Sequence, residues 1–345
     1  MSVDPILDEA MARAIAESGA AMGSSSPNPP VGAVVIGARG EVIAVGHTQP
    51  VGGPHAEVVA LTAAGEAARG ATVVVTLEPC NHTGRTGPCS RALIDAGVAR
   101  VVYALADPNP LAAGGAQALR DAGIAVVAGF GSEIAADGPL RAWLHRQRTG
   151  RPLVIAKIAT TLDGRVAAPD GTSQWITGAQ ARADAHVVRG GLDAIVVGTG
   201  TVLADDPSLT ARTADGSLGA HQPVRIVLGN RDLPPGARVF DDAAPTRQVR
   251  SHDPHDVLAA VPDALTVLVE GGPAVIGAFL AAGLVDEVHA YLAPTILGAG
   301  AAAVDDPTVA TLAQAHRFTP VEVRRLGADV RLTLRRDAEA PTTSG

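Results

Sequence analysis

Apolar and polar positions along the chain fall into short aliphatic runs separated by stretches of helical period. Asp4-Pro5 opens a helix in which Ile6, Leu7, Met11 and Ile15 return every three to four positions, with Pro in the first turn and acids nearby. Ser24 to Pro30 is a loop of small residues and prolines. Residues 31–36 and 41–45 read as strands joined by a Gly-containing turn, 55–68 as a helix, and 72–77 as an aliphatic strand. A helix over 88–96 closes at Gly97; strand 100–105, helix 115–121, strand 124–127 and helix 132–148 follow. This alternation predicts a sheet covered on both faces.

Thr149-Gly150-Arg151-Pro152 follows a charged helix end and precedes a new apolar strand, and so marks the domain boundary. We read residues 1–148 as one domain, 149–337 as a second, and 338–345 as a disordered tail. In the second domain, strands are predicted at 153–159, 193–198, 223–229, 265–269 and 286–293. Helices are predicted at 178–190 and 273–282, and 319–325 and 328–335 form a closing antiparallel pair.

Composition narrows the picture. Of 345 residues, 47% are hydrophobic but only 2% aromatic, so the cores must be Val, Leu, Ile and Ala, which suits parallel sheets flanked by Ala-rich helices. A net charge of -8 without a basic tract argues against nucleic acid as partner. No run reaches the roughly 18 apolar residues of a membrane span. The first 22 residues carry Asp4, Asp8, Glu9 and Glu17 and do not read as a signal peptide. A cytoplasmic protein is expected, in which two cysteines are metal ligands or bystanders rather than a disulfide.

The chemistry concentrates in Pro54-His55-Ala56-Glu57, Glu78-Pro79-Cys80 and Pro88-Cys89. A catalytic zinc takes three protein ligands, here His55, Cys80 and Cys89, and keeps a position for water. Glu57 is the candidate proton shuttle of a hydrolytic deaminase: it takes a proton from the attacking water and delivers it to departing ammonia. Residues two apart on a helix point to different sides, so His55 and Glu57 share a site only if His55 stands at the helix start. The spacing differs from the H-x-E…P-C-x-x-C pattern of zinc deaminases, because eight residues separate the cysteines. A structural zinc with His82 as fourth ligand is the alternative.

These residues, with Pro27-Asn28-Pro29-Pro30-Val31-Gly32 and the full run from Glu78 to Cys89, resemble the bifunctional riboflavin-biosynthesis enzymes, a pyrimidine deaminase fused to a reductase. In the second half the resemblance rests on Lys157 to Arg165, Ser173 to Thr177, Gly200 to Pro207 and Val269 to Pro273. It implies an α/β chain: a cytidine-deaminase-like three-layer α/β/α domain, then a dihydrofolate-reductase-like α/β domain using NADPH. It implies substrate contacts at Asn28, His82, Lys157, Ser173, Arg189, Leu209, Arg212 and Glu270. Cofactor contacts are implied at Ala159, Trp175, Thr201, Asp205, Gly272, Pro273, Ala274, Val275, Ile276, Gly277 and Ala278. The implied cofactors are Zn2+ and NADPH, the partner a phosphoribosylated pyrimidine, and the assembly a homo-oligomer, dimer or tetramer.

Residue chemistry alone says less about the second half. Gly271-Gly272-Pro273 opens a helix and reads equally as a phosphate cradle or a structural turn. Lys157 either snorkels from an apolar strand or faces a cleft. Glu270 is a functional carboxylate at a strand end or a solvated one. Trp175 in a polar loop contacts a ligand or packs over an edge. Arg189 and Arg212 clamp a ribose phosphate or are surface arginines.

Overall fold

The structure is a computed structural model describing residues 4–83 and 87–336; the expected tail and the loop residues Gly84, Arg85 and Thr86 lie outside the described residues. Contacts divide the chain into two compact units, Met1–Arg151 and Pro152–Gly345.

The first unit runs α1 (Pro5–Ala20), β1 (Gly32–Ile36), β2 (Val42–His47), α2 (Ala56–Ala64), β3 (Thr72–Leu77), α3 (Cys89–Ala96), β4 (Arg100–Leu105), α4 (Gly115–Asp121), β5 (Ala125–Ala128), α5 (Ser132–Asp137) and α6 (Arg141–Thr149). The Asp4 side chain accepts from the backbone N–H groups of Ile6 and Leu7, satisfying donors that the first turn leaves free. Leu7, Met11 and Ala14 of α1 pack on Val34, Ile36, Val74 and Val102, and Ala135 of α5 joins them. The opposite sheet face lies under α2, whose Ala56 and Ala60 backbone touches Gly46. Helices thus cover both faces of a five-stranded sheet ordered β2-β1-β3-β4-β5. The sheet is mixed rather than parallel: β1 runs antiparallel to β2 and β3, while β3, β4 and β5 are parallel. The helix expected over 132–148 is two helices, because Gly138-Pro139 interrupts it and Pro lacks the N–H that would continue the ladder.

The second unit contains β6 (Leu153–Thr161), β7 (Arg165–Ala167), α7 (Ala179–Gly190), β8 (Ala194–Gly198), α8 (Thr199–Asp205), β9 (Val224–Leu228), β10 (Thr246–Val249), α9 (Pro254–Ala260), β11 (Thr266–Val269), α10 (Pro273–Ala281), β12 (Glu287–Ala293), β13 (Ala301–Ala302), β14 (Phe318–Leu326) and β15 (Asp329–Arg336). Its main sheet is ordered β10-β9-β8-β11-β6-β12-β15-β14. The six strands from β10 to β12 are parallel, and the β14–β15 hairpin closes the edge antiparallel, as its sequence suggested. The central strands β8 and β11 are almost wholly aliphatic because both faces are buried. Val154, Ala156, Val196, Ile226, Val267 and Val269 form one core with Ile276 and Phe279 of α10. The other face, toward α7, carries Tyr291, which packs with Ala181 and Leu326. The elements β7, α8, β10, α9 and β13 went unrecognised in the sequence. All are seven residues or shorter, too brief for periodicity to stand out. Among the described residues no helix is long and apolar enough to cross a membrane.

Candidate active sites

In the first unit, the three metal-ligand candidates arrive on three element ends. His55 is the N-cap residue of α2, in extended backbone, so Glu57 in the first turn stays close to it. Cys80 follows the C-terminal end of β3, and Cys89 is the first residue of α3. His55 Nδ1 stands 3.6 Å from Cys80 Sγ and 3.3 Å from Cys89 Sγ, and the three donor atoms lie within 4.8 Å of one another. Donors around a tetrahedral zinc are roughly 3.5–3.8 Å apart, given Zn–S and Zn–N bonds of about 2.3 and 2.0 Å. The residues therefore fit a three-ligand zinc. His82 is exposed and outside this donor group, which leaves the closed four-ligand alternative without support.

Crowding moves the protons of these groups. A hydrogen bond from the Cys89 thiol, aided by the His55 ring, holds the Cys80 thiol down to about 4 despite burial. The same hydrogen bond, with burial, pushes Cys89 up. Burial first, and then the Cys80 sulfur, raise the Glu57 carboxyl to about 7. A bound divalent cation would override the thiol pairing and deprotonate both sulfurs.

A supporting layer escaped the sequence reading. Buried Glu78 accepts from the backbone N–H groups of Asp107 (3.4 Å), Gly114 (3.2 Å) and Ala116 (3.0 Å), tying the loop before α4 beneath the cysteines. Gly115 permits this approach, since a Cβ there would lie 1.7 Å from the Pro79 carbonyl oxygen. Ser90 Oγ donates to Asn81 Oδ1 at 2.7 Å and Asn81 N donates to Ala112 O, so both cysteine-bearing turns are pinned. A carboxylate between an aliphatic strand and Pro-Cys was the available signal. Asn28 sits in a turn, its N–H donating to Ser25 O, and it makes no hydrogen bond to the three donors among the described residues.

The second unit holds a cleft of about 1030 Å³ at the C-terminal ends of its parallel strands. Lys157, Ala159, Ser173, Trp175, Arg189, Thr201, Asp205, Leu209, Arg212 and Glu270 all border it, as do residues 272–276 of the α10 start. Gly277 and Ala278 do not; Gly277 is turned against the Asp305 backbone. Glu270 is no solvated strand end. Its side chain is only 7% exposed and receives both arms of the Arg189 fork, Nε to Oε1 at 2.8 Å and Nη2 to Oε2 at 2.7 Å, with Lys157 Nζ 3.8 Å from Oε2. Burial alone would raise this carboxyl, but Arg189 and Lys157 outweigh it and hold it down to about 2. Arg189 also donates to Thr210 O, so three of its five N–H groups are engaged, whereas Arg212 donates only to Gly216 O and is the freer cation. Lys157 faces the cleft and lies 5.8 Å from the Tyr291 ring centre. Trp175 is 69% exposed, with the Arg182 guanidinium 4.6 Å from its ring. Ser173 Oγ donates to Asp205 Oδ1, and Gly272 N donates to Thr201 Oγ1.

Arg225 was hidden inside a strand pattern. It is fully buried and donates to Thr246 Oγ1, Asp241 Oδ1 and the Ser208 carbonyl. Ser208 precedes Leu209, a buried residue at φ 53°, a left-handed conformation costly for a side chain of this kind. Arg225 and Arg238, whose Nη2 meets Ser208 Oγ at 2.6 Å, fix that turn at the cleft wall.

Known families match both units. Residues 6–105 match the cytidine and deoxycytidylate deaminase zinc-binding region, and residues 152–332 match the RibD C-terminal domain. The riboflavin biosynthesis protein RibD of Mycobacterium tuberculosis is 53% identical over 97% of this chain and 99% of its own length. Acinetobacter baumannii RibD superposes with a TM-score of 0.85 at 37% identity, covering 97% of this chain and 99% of that one. A deaminase/reductase of Thermotoga maritima gives 0.83 at 33% identity, covering 96% and 99%. The expected fold is met, a deaminase-like α/β/α unit followed by a reductase unit of the dihydrofolate-reductase type. By domain content, sequence and fold, the chain belongs to the RibD family of bifunctional riboflavin-biosynthesis deaminase/reductases.

Proposed function

We propose that residues 1–148 hydrolytically deaminate 2,5-diamino-6-(5-phosphoribosylamino)pyrimidin-4(3H)-one. Residues 149–337 then reduce the ribosyl group of the product to a ribityl chain with NADPH. The observation that carries the reading is the convergence of His55, Cys80 and Cys89 beside buried Glu57.

His55, Cys80 and Cys89 would hold zinc, which when bound supplies a Lewis acid that makes water nucleophilic near neutral pH. Water adds to the ring carbon that bears the amino group. Glu57 accepts the proton released in that addition and delivers it to the amino nitrogen; the C–N bond breaks and ammonia leaves. Asn28 and His82 contact the pyrimidine. In the second half, NADPH supplies the hydride for C1′ of the opened ribosyl group. Lys157 and Glu270 stand at the reacting end. The Lys157 ammonium faces the ribosyl oxygen on which charge develops, and Glu270 keeps that ammonium in place. Ser173, Arg189, Leu209 and Arg212 hold the rest of the substrate, while Ala159, Trp175, Thr201, Asp205 and the 272–276 segment hold the cofactor. On this reading the protein works in the cytoplasm as a homo-oligomer of two or four subunits.

Mass spectrometry of products from the diaminopyrimidine substrate, with and without NADPH, tests the reading. Deaminated product alone without NADPH, and deaminated plus reduced product with it, are expected. No conversion by zinc-loaded protein would overturn the substrate assignment.

A further inference from the structure

NADPH and NADH differ by one phosphate on the adenosine ribose, and a dianionic phosphate is recognised by cations with unspent donors. The cations around the reductase cleft divide by what already occupies them. Lys157 and Arg189 serve Glu270. Arg238 serves Ser208, and Arg182 lies over Trp175 and donates to Thr177 O. Arg212 stands on the Leu209 side and donates to Gly216 O. Arg231 is different. It lies just past the C-terminal end of β9, is exposed, and lines the cleft. Its only side-chain hydrogen bond is a long one, Nε to Thr199 Oγ1 at 3.4 Å, and no carboxylate pairs with it among the described residues. The adjacent Asp232 is taken by Arg250 at 2.7 Å.

The neighbouring backbone is shaped to this side chain. A Cβ at position 200 would lie 2.7 Å from Arg231 Nη2, so Gly200 leaves the space that the guanidinium crosses. Gly200 is the second residue of α8, the helix that carries Thr201, and Thr201 binds the Gly272 amide at the other cofactor segment. Arg231 therefore borders the cofactor wall of the cleft, whereas Arg212 belongs to the substrate wall.

Building on the NADPH reading above, we propose that Arg231 is the residue that grips the 2′-phosphate and so selects NADPH over NADH. A phosphate could also come from the ribose phosphate of the substrate, and the test separates the two. Calorimetric titration of the full-length protein with NADP+ and with NAD+ would be run on wild type, Arg231→Leu and Arg231→Lys, alongside KM for the pyrimidine substrate. Arg231→Leu is expected to weaken NADP+ binding about ten- to hundredfold, the loss of a charged hydrogen-bond pair, and to leave NAD+ binding and the pyrimidine KM unchanged. Arg231→Lys should restore part of the NADP+ affinity, since it keeps the charge but not the fork. Equal weakening of both nucleotides, no change in either, or a rise confined to the pyrimidine KM would each overturn the assignment. Wild type that binds neither nucleotide would instead remove the NADPH reading, and this proposal with it.

Discussion

The two sites are built in opposite ways. The zinc-ligand cluster draws its donors from 35 residues, His55 to Cys89, on three adjacent element ends, and its supporting bonds come from the next loop. The reductase cleft gathers Lys157, Arg189, Leu209 and Glu270 from strands, a helix and a loop spread over more than a hundred residues. A compact metal site depends on each ligand. A dispersed cleft depends on the framework that brings its walls together. The family's two activities should therefore fail differently under substitution.

The largest effect is expected at Glu57. Glu57→Gln should keep zinc, measured by metal analysis, and lower the deamination rate about 10²–10⁴-fold, the usual range for a lost general acid–base. Reduction of independently supplied deaminated substrate should continue. Loss of both activities would break the contrast between the sites.

Glu270 comes next. Glu270→Ala leaves Arg189 and Lys157 without their shared anion and should destabilise the protein by about 3–5 kcal/mol, read by denaturant unfolding. The pH dependence follows from a carboxyl lowered from 4.5 to about 2. Its stabilising contribution is present above pH 4.5 and declines as pH falls from there toward 2. In Glu270→Ala that acid-side decline should shrink; an unchanged profile would mean the pair does not contribute.

Arg225→Met tests the framework at a distance. It should raise KM for the reductase substrate by about tenfold or more through the Ser208–Leu209 turn, while deamination, measured on the same sample, stays at wild-type level. A fall in reductase kcat with KM unmoved would show that the turn does not set substrate binding. The smallest effect is expected at Glu78. Glu78→Gln keeps one oxygen for the Gly114 and Ala116 amides and loses the longest bond, to Asp107. Zinc affinity should fall about tenfold, the low end for outer ligand-orienting groups, as read by competition with a chelator. An unchanged affinity would mean that the loop holds without it.

How far the sequence could be read follows the same division. Cys80 and Cys89 are the only cysteines, and with His55 and Glu57 their spacing points to one chemistry. Lys157, Arg189 and Glu270 are ordinary surface types whose partnership is created by the fold. Glu270 pairs with Arg189 across 81 residues, a relation no local pattern encodes. The long strands and helices of both units were legible because burial imposes period on them. The two-turn helix α9 and the edge strand β10 were not, although Asp253 caps α9 with the same Asp-Pro signature that was recognised at Asp4-Pro5. Arg225 was missed because a single charge in the apolar run of β9 reads as a flaw in a strand rather than as the centre of a buried hydrogen-bond cluster.

The most direct measurement is on Cys80→Ser, assayed for both steps in one preparation. Removing a zinc ligand should abolish ammonia release from the diaminopyrimidine, while reduction of the deaminated uracil by NADPH proceeds at the wild-type rate. Undiminished ammonia release would contradict the zinc site, and loss of reduction in a folded sample would contradict two separately built sites in one chain.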